Sequence, residues 1–155
     1  IASKMGISIL NVHALGGKEM MISAREGVDK SNNKPYLIAV TLLTSMDQIT
    51  LKDIGFKSSI NDQILNLALS ANQAKLDGIV CSAKDIVNIK NLLPQDFLYV
   101  TPGIRPENKS KNDQKRITTP SEAIKFGSNI LIVGRPVTQA KNPELVISQI
   151  LQEIS

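Results

Sequence analysis

The sequence has little of several residue types that build specialised sites. It contains no tryptophan, one cysteine and one histidine, and aromatic residues make up only 3% of its 155 residues. The lone cysteine, Cys81, excludes an internal disulfide and a cysteine-rich metal site, as is typical of a protein in a reducing compartment. No apolar run reaches the roughly 20 residues of a membrane-spanning helix, and no secretory signal pattern is visible. We therefore expect a cytoplasmic protein that makes no contact with a membrane.

The charge balance is mildly basic, with a formal net charge of +4. This charge would permit nucleic-acid binding, but few aromatic residues and no recognisable binding motif accompany it. A small anionic ligand explains the charge equally well. With 42% hydrophobic and 21% charged residues, the chain has the composition of a globular protein with one sizeable core. We expect one domain over residues 1–155.

Five short apolar runs, rich in β-branched residues and bounded by turn signals, predict β-strands. They lie at residues 7–12, 36–40, 78–81, 97–100 and 130–133. The runs lack the alternation of a half-solvated antiparallel strand, and continuous apolar runs are typical of parallel strands covered by helices.

Helix start and stop signals lie between the runs. Ser82 with Asp85 predicts a capping box, for a helix through Leu92 or Leu93. Thr119, Pro120 and Glu122 begin another helix, with Gly127 as its terminator, and Asn142 with Pro143 begins the last one. Apolar stripes mark two helix faces. They comprise Val146, Ile150 and Ile154 in the last helix, and Ile60, Ile64, Leu67, Ala68 and Ala71 before the third strand.

This alternation of strand and helix leaves a doubly wound open sheet or a (β/α) barrel. Glycine and arginine follow the last two strands, at Gly103 to Arg105 and at Gly134-Arg135, which matches the phosphate site after strands 7 and 8 of a barrel. A barrel has eight strands and typically about 250 residues. The chain is therefore expected to hold the later part of a (β/α)8 TIM barrel, and residues 1–5, which read like the end of a helix, favour a piece of a longer protein.

Two segments at the strand ends are candidates for anion binding. Gly134 allows close backbone approach, Arg135 offers a bidentate donor fork and Pro136 fixes the turn, a combination that suits a phosphate. Residues 105–118 form a long polar segment with several lysines, which predicts a lid over an anion. A plain surface loop is the alternative for that segment.

Three further residues lie at the ends of strands or in the segments that follow them, and each has two possible roles. Thr44 offers a hydroxyl to a polar ligand, whereas Ser45 with Gln48 resembles a capping box. His13 is as consistent with a structural role as with a general base. Cys81, without an identified partner histidine, is interpreted as a small buried hydrophobic residue.

Together these segments resemble the bacterial branch of the orotidine 5'-phosphate decarboxylase family. The resemblance rests on six segments, in order and at compatible spacing. They are Asn11-Val12-His13-Ala14 with Gly16-Gly17, Ile38-Ala39-Val40-Thr41 with Leu43-Thr44-Ser45, Leu76-Asp77-Gly78 with Val80-Cys81-Ser82, Thr101-Pro102-Gly103-Ile104-Arg105, Asp113-Gln114 with Arg116, and Val133-Gly134-Arg135-Pro136.

The resemblance implies a (β/α)8 barrel, of which this chain covers roughly strands 4 to 8, acting as a homodimer without metal or organic cofactor. Its substrate would be orotidine 5'-monophosphate and its product UMP, in pyrimidine biosynthesis. Arg135 would be the main phosphate ligand, with backbone N–H groups near Gly134. Gln114 and Arg105 would support the phosphate, and Thr44 would bind the pyrimidine edge. Pro102 would line the apolar wall near the reacting carboxylate.

One departure from the family pattern limits these expectations. The family's catalytic lysine lies in an Asp-x-Lys-x-x-Asp motif, and the sequence does not contain it. Its only Asp-x-Lys is Asp113-Gln114-Lys115, whose sixth position is Thr118. We therefore expect no catalytic residue in this chain. The alternatives are another phosphate-binding barrel decarboxylase or synthase and, from a different class, a non-catalytic basic module that binds nucleic acid.

Overall fold

The computed structural model describes residues 1–106 and 117–155. Five parallel strands form one sheet in which each strand pairs with the next one along the chain. They are β1 (Ile9–His13), β2 (Tyr36–Val40), β3 (Gly78–Val80), β4 (Leu98–Thr101) and β5 (Ile130–Leu131). All five predicted strands are confirmed.

The connections between strands contain helices, because a parallel neighbour requires a crossover. The α-helices are α1 (Lys18–Asp29), α2 (Gln48–Asp53), α3 (Ile60–Gln73), α4 (Ala83–Ile89), α5 (Pro120–Phe126), α6 (Arg135–Thr138) and α7 (Pro143–Ile154). Short 3-10 turns lie at Ala2–Met5, Ala14–Gly16 and Lys90–Leu92. No helix among the described residues combines the length and apolarity needed to cross a membrane.

The predicted helix caps are largely confirmed. The Asp85 carboxylate accepts a hydrogen bond from the Ser82 backbone N–H at 3.0 Å. At the start of α5, Thr119 Oγ1 accepts from the Glu122 N–H at 3.3 Å and the Glu122 carboxylate accepts from the Thr119 N–H at 3.0 Å. Asn142 Oδ1 accepts from the N–H of Leu145, within the first turn of α7, at 3.1 Å.

The predicted capping box of Ser45 and Gln48 is wrong. The N-cap of α2 is Asp47, whose Oδ1 accepts hydrogen bonds from the Thr50 N–H and hydroxyl, both at 2.9 Å. A carboxylate is the stronger acceptor of the two candidate caps. Gln48 is instead the first residue of the helix, and its side-chain oxygen accepts from the Ile60 N–H at 2.8 Å.

Several element boundaries differ from the predicted ones by one or more residues. The first strand begins at Ile9 rather than at residue 7, and the last has only two residues, because β4 ends at Thr101, the partner of Leu131. Helix α4 ends at Ile89 and continues as a 3-10 turn, so it does not run as an α-helix to residue 92. The following Pro94 cannot continue a helix, which favours this tightening of the last turn.

The helices lie on one face of the sheet. Alternate strand residues, among them Leu37, Ala39, Ile79 and Tyr99, belong to the same buried cluster as the predicted stripe of α3. Strand residues of the opposite parity include Ile9 and Tyr36, which are 37% and 56% exposed. A doubly wound sheet reverses its strand order and carries helices on both faces. Sequential order with helices on one face is the pattern of a (β/α) barrel.

Lys75, directly after the last turn of α3, has φ of +61°, the one non-glycine residue with positive φ in the described chain. Its N–H bonds the Asn72 carbonyl at 2.9 Å, and the N–H of Leu76 bonds the Ala71 carbonyl at 3.1 Å. This is the position at which helix ends favour glycine. Lysine there costs about 1 kcal/mol relative to glycine.

Tyr99 lies on the sheet face that the helices cover, and its ionisation tests how deeply this face is buried. Burial, with an additional contribution from Cys81, raises the pKa of Tyr99 from 10.0 to about 12. As the pH rises, Tyr99 therefore ionises in the unfolded chain before it ionises in the folded one. The resulting contribution of Tyr99 to the unfolding free energy is fully present below pH 10 and is lost as the pH rises towards 12. We expect Tyr99→Phe to reduce the alkaline loss of unfolding free energy in urea titrations between pH 9 and 12.

The same substitution has a built-in control at neutral pH. The Tyr99 hydroxyl is buried and finds no hydrogen-bond partner among the described residues. Its removal should therefore leave the stability at pH 7 equal or higher. If Tyr99→Phe lost unfolding free energy between pH 9 and 12 as steeply as the unaltered protein, the alkaline loss would not come from Tyr99.

Candidate functional site

The candidate site lies at the edge of the sheet where all five strands end. Because the strands are parallel, their carboxyl ends lie at one edge, which is the ligand-binding side of (β/α) barrels. This edge brings three predicted residues to the same side of the molecule: Thr44 follows β2, Arg105 follows β4 and Arg135 follows β5. Since β4 and β5 are neighbours, the two arginines follow adjacent strands.

Arg135 is the first residue of α6 and is half-buried. The preceding Gly134 is exposed, and a Cβ at its position would meet no atom within 4 Å. Neither a positive φ nor local packing therefore demands glycine at position 134. Pro136 is buried and holds the start of the helix. Arg135 thus directly follows an exposed backbone position with open space beside it.

Arg105 is only 6% exposed, and two of its hydrogen bonds lie at the end of β4. Its Nη1 donates to the Ile104 carbonyl at 2.8 Å, and its backbone N–H donates to the Thr118 carbonyl at 3.0 Å. Ile104 and Thr118 form an isolated parallel bridge. The two ends of the segment predicted to be a lid are therefore tied together beside β4.

Gln114 lies outside the described residues, as does most of the predicted lid. Its expected role at the phosphate therefore stays a prediction. No cluster of three or more potential metal-ligating side chains occurs within residues 1–106 and 117–155.

The remaining candidates differ in accessibility. Thr44 is 7% exposed, and Pro102 is half-buried directly after β4. His13 ends β1 with its side chain exposed, on the sheet face away from the helices. Cys81 is fully buried within the main core cluster, which confirms its interpretation as a small hydrophobic residue.

Sequence reasoning missed one polar pair beside the site. Ser128 Oγ lies 2.7 Å from Thr101 Oγ1, and the two residues are 6% and 0% exposed. The pair fixes the end of β4 from which the segment of Pro102 and Arg105 departs. The only signal in the sequence is a serine between the helix-terminating Gly127 and a strand, which by itself predicts nothing more than a turn.

Sequential parallel strands, helices on one face and arginines after the last two strands place the chain in the class of (β/α)-barrel proteins. Residues 1–150 match the model of the family described as "Orotidine 5'-phosphate decarboxylase / HUMPS family". The chain belongs to this family, and the resemblance inferred from the sequence is confirmed.

Curated relatives support the same assignment. Over 150 residues the chain is 49% identical to "Orotidine 5'-phosphate decarboxylase" of Pseudoalteromonas atlantica, covering 96% of this chain and 65% of the relative. It is 47% identical over 154 residues to the protein of the same name from Saccharophagus degradans, with 99% and 65% covered. The chain thus spans about 65% of the length of the curated relatives it matches.

Solved structures agree on the fold. Orotidine 5'-phosphate decarboxylase from Lactobacillus acidophilus superposes with a TM-score of 0.83 at 35% identity, covering 99% of this chain and 66% of that one. The corresponding protein from Pyrococcus horikoshii gives a TM-score of 0.68 at 21% identity, which bears on the fold alone. The described strands are five consecutive strands of a (β/α)8 barrel.

Proposed function

We propose that the protein decarboxylates orotidine 5'-monophosphate to UMP in pyrimidine biosynthesis, and that this chain supplies the phosphate-binding and pyrimidine-binding groups. The observation that carries the proposal is the family match over residues 1–150, together with two arginines after adjacent strands at the ligand edge. The curated relatives carry the name of this enzyme.

Phosphate binding is assigned to the end of the sheet. Arg135 is the main phosphate ligand, because a guanidinium offers two parallel donors to phosphate oxygens. Backbone N–H groups at Gly134 add donors where no side chain blocks the approach. Arg105 supports the phosphate from the end of β4, and Gln114, outside the described residues, approaches it from the intervening segment.

Pyrimidine binding is assigned to two further residues. Thr44 offers its hydroxyl to a polar edge of the ring, and Pro102 lines the apolar wall near the reacting carboxylate. Binding energy at the phosphate, far from the reacting carbon, then assists the chemical step if it is realised more strongly in the transition state.

The proposed reaction breaks the bond between ring carbon C6 and the carboxylate. The electron pair stays on C6 as a carbanion, CO2 leaves, and a lysine ammonium of the family's Asp-x-Lys-x-x-Asp motif donates the proton. Since this sequence has no such motif, the residues described above bind and orient the substrate. We expect the chain by itself to be inactive in decarboxylation.

The test is turnover by the intact protein that contains this chain. Orotidine 5'-monophosphate should lose the absorbance of its orotate ring and yield UMP and CO2 without added metal or cofactor. The chain alone, assayed in parallel, should give no turnover. No detectable reaction by the intact protein would overturn the proposal, and salt-sensitive affinity for long DNA or RNA would favour the nucleic-acid alternative.

A homodimer is part of the proposal. Three large apolar side chains are exposed after β2, at the ligand edge: Leu43 at 49%, Ile49 at 70% and Ile54 at 51%. Exposed apolar side chains close together in the sequence favour a surface that another protein covers. Sedimentation equilibrium of the intact protein should give twice the monomer mass, and Ile49→Lys should shift it towards the monomer, whereas Lys125→Ala should not.

We also propose the cytoplasm as the location. A single cysteine that is fully buried suits a reducing compartment. Fractionation of the source cells should recover the protein with cytoplasmic markers, and recovery from outside the cytoplasm would contradict the proposal.

A further inference from the structure

Thr41 directly follows β2, at the same edge of the sheet as the candidate site, and it bonds the neighbouring strand twice. Its backbone N–H and its Oγ1 hydroxyl both donate to the carbonyl of Val80, at 3.1 and 2.8 Å. Val80 is the last residue of β3, and Thr41 is only 1% exposed. Both strands lie within this chain, so the contact does not depend on strands outside it.

The hydroxyl of Thr41 is not needed to complete the sheet. The backbone N–H of Thr41 already gives the Val80 carbonyl a donor, and the hydroxyl adds a second donor to the same oxygen. Valine has nearly the same shape as threonine and is at least as well suited to a strand. The hydroxyl therefore adds a restraint at the point where the chain leaves the sheet.

The connection from β2 to α2 is also held on both sides of Thr44. On one side, Leu42 is 2% exposed and belongs to the main core cluster. On the other side, Asp47 caps α2, and the Gln48 side chain donates to the Ser58 carbonyl at 3.1 Å. Thr44 lies in the short turn between these anchors, so a shift at the end of β2 reaches it within three residues.

We propose that Thr41 is a positioning residue for Thr44. By holding the end of β2 on β3, its hydroxyl places the Thr44 hydroxyl at the polar edge of the pyrimidine. Groups that bind a ligand keep their productive geometry when neighbouring hydrogen bonds hold them. The inference rests on the proposed function, which assigns the pyrimidine to Thr44, and it adds a residue that does not touch the substrate.

Thr41→Val removes the hydroxyl and keeps the shape of the side chain. In the intact protein that contains this chain, it should lower the affinity for UMP about three- to tenfold, an effect of the order of one hydrogen bond. The affinity for ribose 5-phosphate, which has no base, should not change. Thr41→Ser, which keeps the hydroxyl, should bind UMP almost as the unaltered protein does. Calorimetric titration measures all of these affinities.

A double-mutant cycle tests whether Thr41 acts through Thr44. Thr44→Ala should itself weaken UMP binding. Adding Thr41→Val to Thr44→Ala should then lower the UMP affinity no further, because residues that act as one unit are not additive. Fully additive losses would show that Thr41 acts by another route and would overturn the inference.

Ser31→Ala is the matched control. The Ser31 hydroxyl is also buried and donates to a backbone carbonyl, that of Val28, at 2.9 Å, but it lies between α1 and the amino-terminal end of β2. Its loss should lower the melting temperature at least as much as Thr41→Val does, because the N–H of Thr41 still serves the Val80 carbonyl. UMP affinity should stay unchanged in Ser31→Ala.

The remaining outcomes separate the inference from the proposed function. If Thr44→Ala weakens UMP binding but Thr41→Val does not, the inference is wrong and the assignment of Thr44 stands. An equal loss of ribose 5-phosphate affinity in Thr41→Val would indicate general damage to the site and would also overturn the inference. If Thr44→Ala leaves UMP affinity unchanged, the assignment of the pyrimidine to Thr44 is wrong, and the inference falls with it.

Discussion

Replacing Arg135 with alanine is expected to lower the affinity for UMP by about 30- to 1,000-fold, equivalent to roughly 2–4 kcal/mol. Arg135 follows β5, its guanidinium has the donors for a phosphate, and the residue before it, Gly134, has open space beside it. Its loss leaves phosphate oxygens without their charge-assisted partners. Calorimetric titration of the intact protein with UMP measures the effect.

Uridine separates phosphate binding from general damage to the site. It lacks the phosphate, so Arg135→Ala should change its affinity little, and Lys125→Ala should change neither affinity. Arg135→Lys should recover part of the UMP affinity, because an ammonium supplies the charge without the bidentate fork. If Arg135→Ala bound UMP as tightly as the unaltered protein, the assignment of the phosphate site would be wrong.

The second large effect is expected from Gly78→Ala, which should destabilise the protein by about 3 kcal/mol or more or prevent folding. A Cβ at Gly78 would overlap the Leu98 carbonyl oxygen and lie 2.7 Å from the Leu98 Cβ. The clash with the carbonyl oxygen involves the backbone of Leu98, so a change of side-chain rotamer cannot relieve it. The strands β3 and β4 would have to separate, and the hydrogen bond from the Leu98 N–H to the Asp77 carbonyl, 2.9 Å long, would be strained.

Gly27→Ala is the matched control. Gly27 lies inside α1, and a Cβ there would meet no atom within 4 Å. Alanine should therefore stabilise the helix by about 0.5–1 kcal/mol. Urea denaturation followed by circular dichroism compares the two variants, and equal stability of Gly78→Ala and the unaltered protein would disprove the close approach of the strands.

The order of elements was predictable because strands and helices leave separate local signals. Buried parallel strands give continuous apolar runs, and α5 begins at the cap and proline that the sequence shows at Thr119 and Pro120. Boundaries were less predictable, since they depend on partners. The last strand has two residues because β4 ends, and Asp47 caps α2 although Ser45 has the better sequence pattern.

The candidate site was predictable only where a side chain that can bind an anion directly follows a strand in the sequence. Arg105 and Arg135 each follow an apolar run and a glycine, so their placement at one edge follows from parallel strands alone. The contact between Thr101 and Ser128 was not predictable, because it joins residues that no motif connects.

The sequential order of the sheet has a consequence for how the protein assembles. Each strand pairs with the strand that precedes it, so every described pairing is complete as soon as the later of two consecutive strands exists. Pairing between consecutive units keeps loop-closure costs moderate, because each closure spans only one strand-helix unit. We therefore expect this sheet to form faster than one whose neighbouring strands lie far apart in the sequence.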